Sequence, residues 1–173
     1  MSALTTIPRD PVKDISGLNY VLLANYADVI GTVDASGYCT FADGDGSVGT
    51  SFTKFTMTKE TSNWTETGTG AATQASTFYN QVLTLVFGRN DTVKRNNVKA
   101  MGTSELIAVC VPRVGAGEAI ALGINNGLDM QSTTSTSGTA PGDLSGNTIV
   151  LGGNSDFPHA FVTDVELALI QPA

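Results

Sequence analysis

Short β-branched segments constrain this chain more than any motif it carries. Runs rich in Val, Ile, Thr and aromatic residues recur at short intervals, separated by clusters of Gly, Asn, Asp and Ser. β-Branched side chains lose rotamer freedom in a helix but pack well on a pleated surface, and the punctuating residues favour turns. Thr and Ser, at 23 and 13 residues, together exceed a fifth of the 173-residue chain. That composition argues against a helical bundle, and an apolar fraction of 41% argues against disorder.

The pattern predicts about eight antiparallel strands in one mainly β domain. They fall near Asn19–Ile30, Gly37–Ala42, Ser51–Trp64, Thr77–Phe87, Glu105–Arg113, Glu118–Ile124, Asn147–Leu151 and Ala160–Ile170. In FVTDVELALI the alternation places Phe161, Val165, Leu167 and Leu169 on one face, with Asp164 and Glu166 on the other. FYNQVLTLVF is apolar on both faces, which predicts a central strand or one with its outer face covered.

NDTVKRNNVKAMG is the one segment that reads as a helix. Asn90 or Asp91 caps its start, Gly102 ends it, and Val93, Ala100 and Met101 form an apolar stripe. Arg89, Lys94, Arg95 and Lys99 make it a cationic island on an acidic protein, either a solvated face or a contact for an acidic partner. The segments 65–76 and 132–147 are poor in core residues and read as long loops. Residues 1–17, punctuated by Pro8, Pro11 and Gly17, read as an extended arm preceding a single domain over 18–173.

Charge narrows the functional classes. Sixteen acidic residues against nine basic ones give a net charge of −7, which disfavours general nucleic-acid binding through phosphate contacts. No apolar run approaches the ~20 residues that cross a bilayer, so no membrane association is expected. Cys39 and Cys110 each sit in an apolar strand-like run and read as buried free thiols.

Catalytic and metal signatures are weak. The single histidine, His159, lies in a turn-like NSDFPHAF with no nominated partner, and no serine sits in G-x-S-x-G. Two cysteines and one histidine at separations of 71 and 49 residues do not form a zinc pattern. The run Asp43–Ser47 places two carboxylates between glycines, but it lacks the later Glu of a calcium loop and fits a hairpin turn. Its G-x-G-x-x-G spacing leads into a strand, where a nucleotide loop must open a helix. Neither enzymatic activity nor a cofactor is expected.

The order of segments carries further information. KFTMTKETSNWTETGTG precedes TFYNQVLTLVFGRNDTVKR, then the helix, LIAVCVPR, GEAIALGINNGLDM, SGTAPGDLSGNTIVLGG and a final strand. Over about Leu18–Ile170 this succession resembles the tail tube, or major tail, proteins of long-tailed bacteriophages, with LGINNGLDM and SGNTIVLGG its most specific parts. The resemblance implies a two-sheet antiparallel β-sandwich of the tail-tube type with one flanking short helix and long loops. It also implies self-assembly into rings, generally of six subunits, that stack into a hollow conduit in the virion tail. The bore of such a tube holds a tape-measure protein and later the passing genome. Sheath, baseplate or tail-terminator proteins are further partners, and the subunits are made in the bacterial host cytoplasm.

On that reading Asp164 and Glu166 are the candidates for a carboxylate-lined bore that keeps phosphates mobile, against an outer solvated face. Arg89, Lys94, Arg95 and Lys99 are the candidates for an inter-subunit helix. The arm and the two loops are expected to order only at ring contacts. The rival readings are a β-sandwich module that binds carbohydrate or protein, which would need exposed aromatics and has only Trp64 and four tyrosines to offer, and a related tail-terminator or neck component.

Overall fold

A computed structural model describes residues 15–44, 51–57, 61–71, 76–114, 118–140 and 142–172. Among them the β-branched runs form β1 (Ile15–Asn25), β2 (Val29–Val33), β3 (Cys39–Asp43), β4 (Thr53–Thr56), β5 (Asn63–Ala71) and β6 (Ser76–Gly88). Helix α1 (Thr92–Met101) follows. Then come β7 (Leu106–Val114), β8 (Ala119–Leu122), β9 (Asp129–Thr136), β10 (Gly146–Ser155), β11 (Ala160–Val162) and helix α2 (Asp164–Ile170). The fold is mainly β, and every pairing between named strands is antiparallel. One sheet runs β11-β8-β7-β1-β4, a second β5-β6-β10-β9, and β2 with β3 forms a hairpin.

Period-two alternation decides which face of each strand is apolar. In β6, Leu83 and Leu85 are fully buried, whereas Val82, Thr84 and Val86 between them are half-buried. The inward set, with Ile149 and Leu151 of β10, meets Val21, Leu23, Ala108, Cys110 and Leu122 of the five-stranded sheet in one core, a sandwich-like arrangement. Each such aliphatic side chain contributes about 1.5–3 kcal/mol on burial. The two sheets cross. Phe55 of β4 meets Phe87 near one end of β6, and Gln81, nearer the other end, accepts from the Gly123 N–H that follows β8. The strand order of one sheet is thus laid out along the strand length of the other.

The five-stranded sheet is apolar on its second face too. Leu22, Ala24, Ile107, Val109 and Ala121 pack under Val29, Cys39 and Phe41 of the β2–β3 hairpin and Ile170 of α2. It is therefore the middle of three layers. Among the described residues the four-stranded sheet is covered on one face: β6 is central as expected, but Val82 and Val86 belong to neither apolar cluster.

Several sequence expectations need correction. Asn19–Ile30 is two strands, because Asn25 and Asp28 close a turn with Asp28 N–H donating to Asn25 O at 3.1 Å and Asn25 Nδ2 to Asp28 Oδ2 at 2.9 Å. Residues 15–17 of the expected arm belong to β1, and its remainder lies outside the described residues. Most of the loop expected at 65–76 is strand: Thr65, Thr67 and Thr69 alternate with Glu66, Gly68 and Gly70 along β5. Gly68 lets Tyr79 pack closely across the ladder, where a Cβ would sit 3.2 Å from its ring and the ring would have to give by a few tenths of an ångström. The start of the loop expected at 132–147 is the end of β9, and the turn after it is fixed by Asp143. That carboxylate accepts from Thr139 N–H, Thr139 Oγ1 and Ala140 N–H at 2.8, 3.0 and 2.7 Å.

The last expected strand, Ala160–Ile170, is β11 followed by α2. Thr163 caps the helix by accepting from Glu166 N–H, and Asp164 and Glu166 lie in the first turn where the dipole favours carboxylates. Glu166 and Ile170, one turn apart, face inward, while Val165 is 73% exposed. The Glu166 carboxylate accepts from the Phe41 backbone N–H at 2.7 Å and so pins α2 to the hairpin. Glu166→Ala would leave that buried donor unsatisfied. The substitution is expected to lower stability by about 1–3 kcal/mol in a denaturant titration, with Glu166→Gln, which keeps an acceptor, costing less.

Candidate functional site

The two carboxylates expected on one polar strand face are separated. Asp164 is exposed, whereas Glu166 is buried against Phe41, and α2 lies on the side of the middle sheet away from the four-stranded sheet. A pairing of Asp164 with Glu166 on one charged wall is therefore not formed.

The cationic residues also divide. Asp91 caps α1 by accepting from Lys94 N–H at 2.9 Å. The Lys94 ammonium donates to Gly88 O and Arg89 O at 2.6 and 3.0 Å and pairs with Asp91 at 3.3 Å. Lys94 thus closes the turn between β6 and α1, where Arg89 adopts a left-handed φ of 62°. Arg89, Arg95 and Lys99 are exposed, and Arg95 borders a cleft of about 500 Å³ with Asn90, Ser135 and Asn147. The packed side of α1 is Val98 and Met101. Val93, at 69% exposed, and Ala100 are not on it.

His159 has a partner that its sequence neighbourhood does not reveal. Its backbone N–H donates to Glu66 Oε2 at 2.7 Å, and its Nδ1 lies 3.1 Å from Glu66 Oε1. Because a carboxylate only accepts, Nδ1 carries the proton. Gln81 Nε2 donates to the same carboxylate at 2.9 Å, and Gln81 is itself buried. The imidazole packs between Trp64 and Phe161 at 5.1 and 5.3 Å between ring centroids. This cluster clamps β5 to β11. It also holds Trp64 against the core, where its indole is not a free platform for a sugar ring.

Both cysteines are free and buried. Burial and the neighbouring Glu166 carboxylate push the Cys39 thiol up to about 12, and burial pushes Cys110 up as well, so neither is a nucleophile at neutral pH. Among the described residues no three His, Cys, Asp or Glu side chains gather as a metal ion would require, and no helix is long and apolar enough to cross a membrane. Of the glycine-rich run, Asp43 accepts from Ser51 Oγ at 2.9 Å, and residues 45–50 lie outside the described residues.

What remains conspicuous is a surface and not a pocket. The outer strands of the four-stranded sheet, β5 and β9, are nine and eight residues long and largely exposed. Neither contains Pro or Lys, the usual protections of an edge. Of the charges on them, Glu66 turns inward to His159 and Asp129 stands at the start of β9. The edges of the other large sheet, β4 and β11, have only four and three residues. Sequence reasoning missed both long edges because Ser, Thr and Gly runs without apolar alternation resemble loops.

No family model, curated protein or solved structure matches the chain.

Two expectations follow. Glu66→Ala strands the Gln81 amide and the His159 N–H, so stability is expected to fall by about 2–4 kcal/mol in urea unfolding. Hydrogen bonds from the Thr139 and Ala140 N–H groups hold the Asp143 carboxyl below its usual value of 3.8. Its contribution is complete above that unfolded value and is lost as pH falls through the lowered folded one. Amide exchange of Thr139 and Ala140 is therefore expected to accelerate, after correction for intrinsic rates, as pH drops from about 5 to about 2, and Asp143→Ala is expected to show the fast rate throughout.

Proposed function

We propose that this protein is a virion structural subunit of the tail-tube class: copies join side by side into rings, and stacked rings form the conduit through which a phage genome passes. The observation that carries this reading is the pair of long, unprotected edges on the four-stranded sheet. Because β5 pairs with β6, β6 with β10 and β10 with β9, all antiparallel, β5 and β9 run in opposite directions. If β5 of one copy meets β9 of the next, antiparallel alternation continues across the junction. The contact is heterologous, and in the proposed ring its rotation about an axis along the strands closes on itself. Closure removes both exposed edges, which a free monomer would leave open to aggregation.

Layer order supports the same arrangement. Circumference grows with radius, so the middle sheet, the β2–β3 hairpin and α2 fit outside the four-stranded sheet and not inside it. The free face of that sheet then lines the bore. The segment order resembling tail tube proteins agrees with this reading, and its family-typical ring of six subunits is part of the proposal. A tape-measure protein and DNA would occupy the bore, and the exposed Arg89, Arg95 and Lys99 remain available to neighbouring tail proteins.

The test is assembly. Purified protein is expected to form rings or tubes of uniform bore in negative-stain electron microscopy. Thr67→Lys combined with Thr134→Lys sets like charges on the two edges that meet. The double variant is expected to keep the parent's circular dichroism and melt within about 1 kcal/mol of it, because both sites are exposed, yet to stay monomeric in sedimentation. Parent protein that never assembles, or a double variant that assembles normally, would refute the edge-joining reading.

A further inference from the structure

The four-stranded sheet sorts its side chains by charge as well as by polarity. Register places Asn63, Thr65, Thr67 and Thr69 of β5 on the free face with Thr84, Val82, Asn80 and the exposed Phe78 of β6, since they pair row by row and the β6 residues, like Val86, lie opposite in parity to the buried Leu83 and Leu85. Thr148, Val150 and Asn154 of β10 share that face, as do Ser132 and Thr134 of β9. The Asn80–Asn154 amide hydrogen bond of 2.9 Å confirms that those two side chains stand together. Among the described residues of this face Asp129 is the one charged side chain, at a corner where β9 begins. The chain as a whole carries sixteen acidic and nine basic residues, and the other charges among the described residues lie off this face.

We infer that the bore wall is electrically neutral over most of its length, a lining of hydroxyl, amide, Val and Phe78 side chains past which a polyanion slides. This rests on the tube reading and replaces the carboxylate-lined bore that the acidic composition suggests. A wall without Lys or Arg has no means of releasing counterions from phosphates, so it does not trap DNA. A wall with one carboxylate per subunit at a corner repels DNA only near that level, because a Debye length of about 8 Å at physiological salt screens it from the rows beyond. Cargo mobility then comes from the absence of strong attraction, and passage depends weakly on ionic strength.

Local potential in the bore is measurable by thiol chemistry, because Cys39 and Cys110 are buried and protonated. Thr148→Cys places one reactive thiol on the free face of an inner strand, four residues along β10 from the Gly152 row that pairs with Asp129. Assembled tubes are treated with a cationic and an anionic methanethiosulfonate of equal size, and separately with a maleimide on a bulky polyethylene glycol. The expected result is access for the small reagents, exclusion of the bulky one, and a cation-to-anion rate ratio within about threefold of that for free cysteine at low salt. Adding Thr84→Asp beside the thiol supplies the control, and its ratio is expected to rise clearly and to fall again with salt.

A strong, salt-sensitive cation preference in the single variant would overturn the neutral wall while leaving the tube reading intact. Tubes in which the bulky maleimide reacts at the same rate as the small reagents would show that this face is not the bore, overturning the inference in another way. Protein that forms no tubes under any condition defeats the tube reading itself, a separate outcome visible before any labelling.

Discussion

Everything in this molecule depends on the apolar contact between two crossed sheets. Leu83, Leu85, Ile149 and Leu151 from one layer and Val21, Leu23, Ala108 and Leu122 from the other leave no room for water between them. Because the middle sheet is also covered on its far side, by the hairpin and α2, it has no free face to offer. Among the described residues the four-stranded sheet is covered on one face. Its second face and both its edges are surfaces that burial among the described residues does not use, and the proposed assembly rests on them.

Polar contacts refine that frame at points where a strand or helix would otherwise be loose. Glu166 fastens α2 to Phe41, Glu66 and Gln81 fasten β5 to the His159 turn and to Gly123, and Lys94 with Asp91 fastens the entry to α1. Each joins elements distant in sequence or satisfies backbone groups at an element's end, where buried partners left unmade are expensive. What these contacts share is a structural role: none sets a nucleophile beside a base, and both thiols are held protonated by burial.

Much of the β architecture was legible because the physics is local. The apolar, β-branched runs of β6 and β7, the cap at Asp91 and the burial of both cysteines follow from side chains acting within a few residues of one another. The misreadings have physical causes as well. Thr65–Ala71 and Asp129–Thr136 lie at the sheet's edges, where only one side of the ladder is paired and apolar periodicity is not needed, so they look like loops. Seven residues of α2 are too few to separate a period of 2 from one of 3.6 by apolar pattern alone. The Thr163-x-x-Glu166 cap spacing was the signal that favoured a helix.

The amino-acid order by itself determined that the chain is mainly β, that α1 interrupts it after Gly88, and that its charge balance is acidic, since each depends only on composition and near neighbours. Tertiary structure decided where the acid goes. It buried Glu166, turned Glu66 inward to His159, and left one face of one sheet nearly without charge. That outcome required knowing which strands lie side by side and which layer covers which, and such distances are set by packing between residues far apart along the chain.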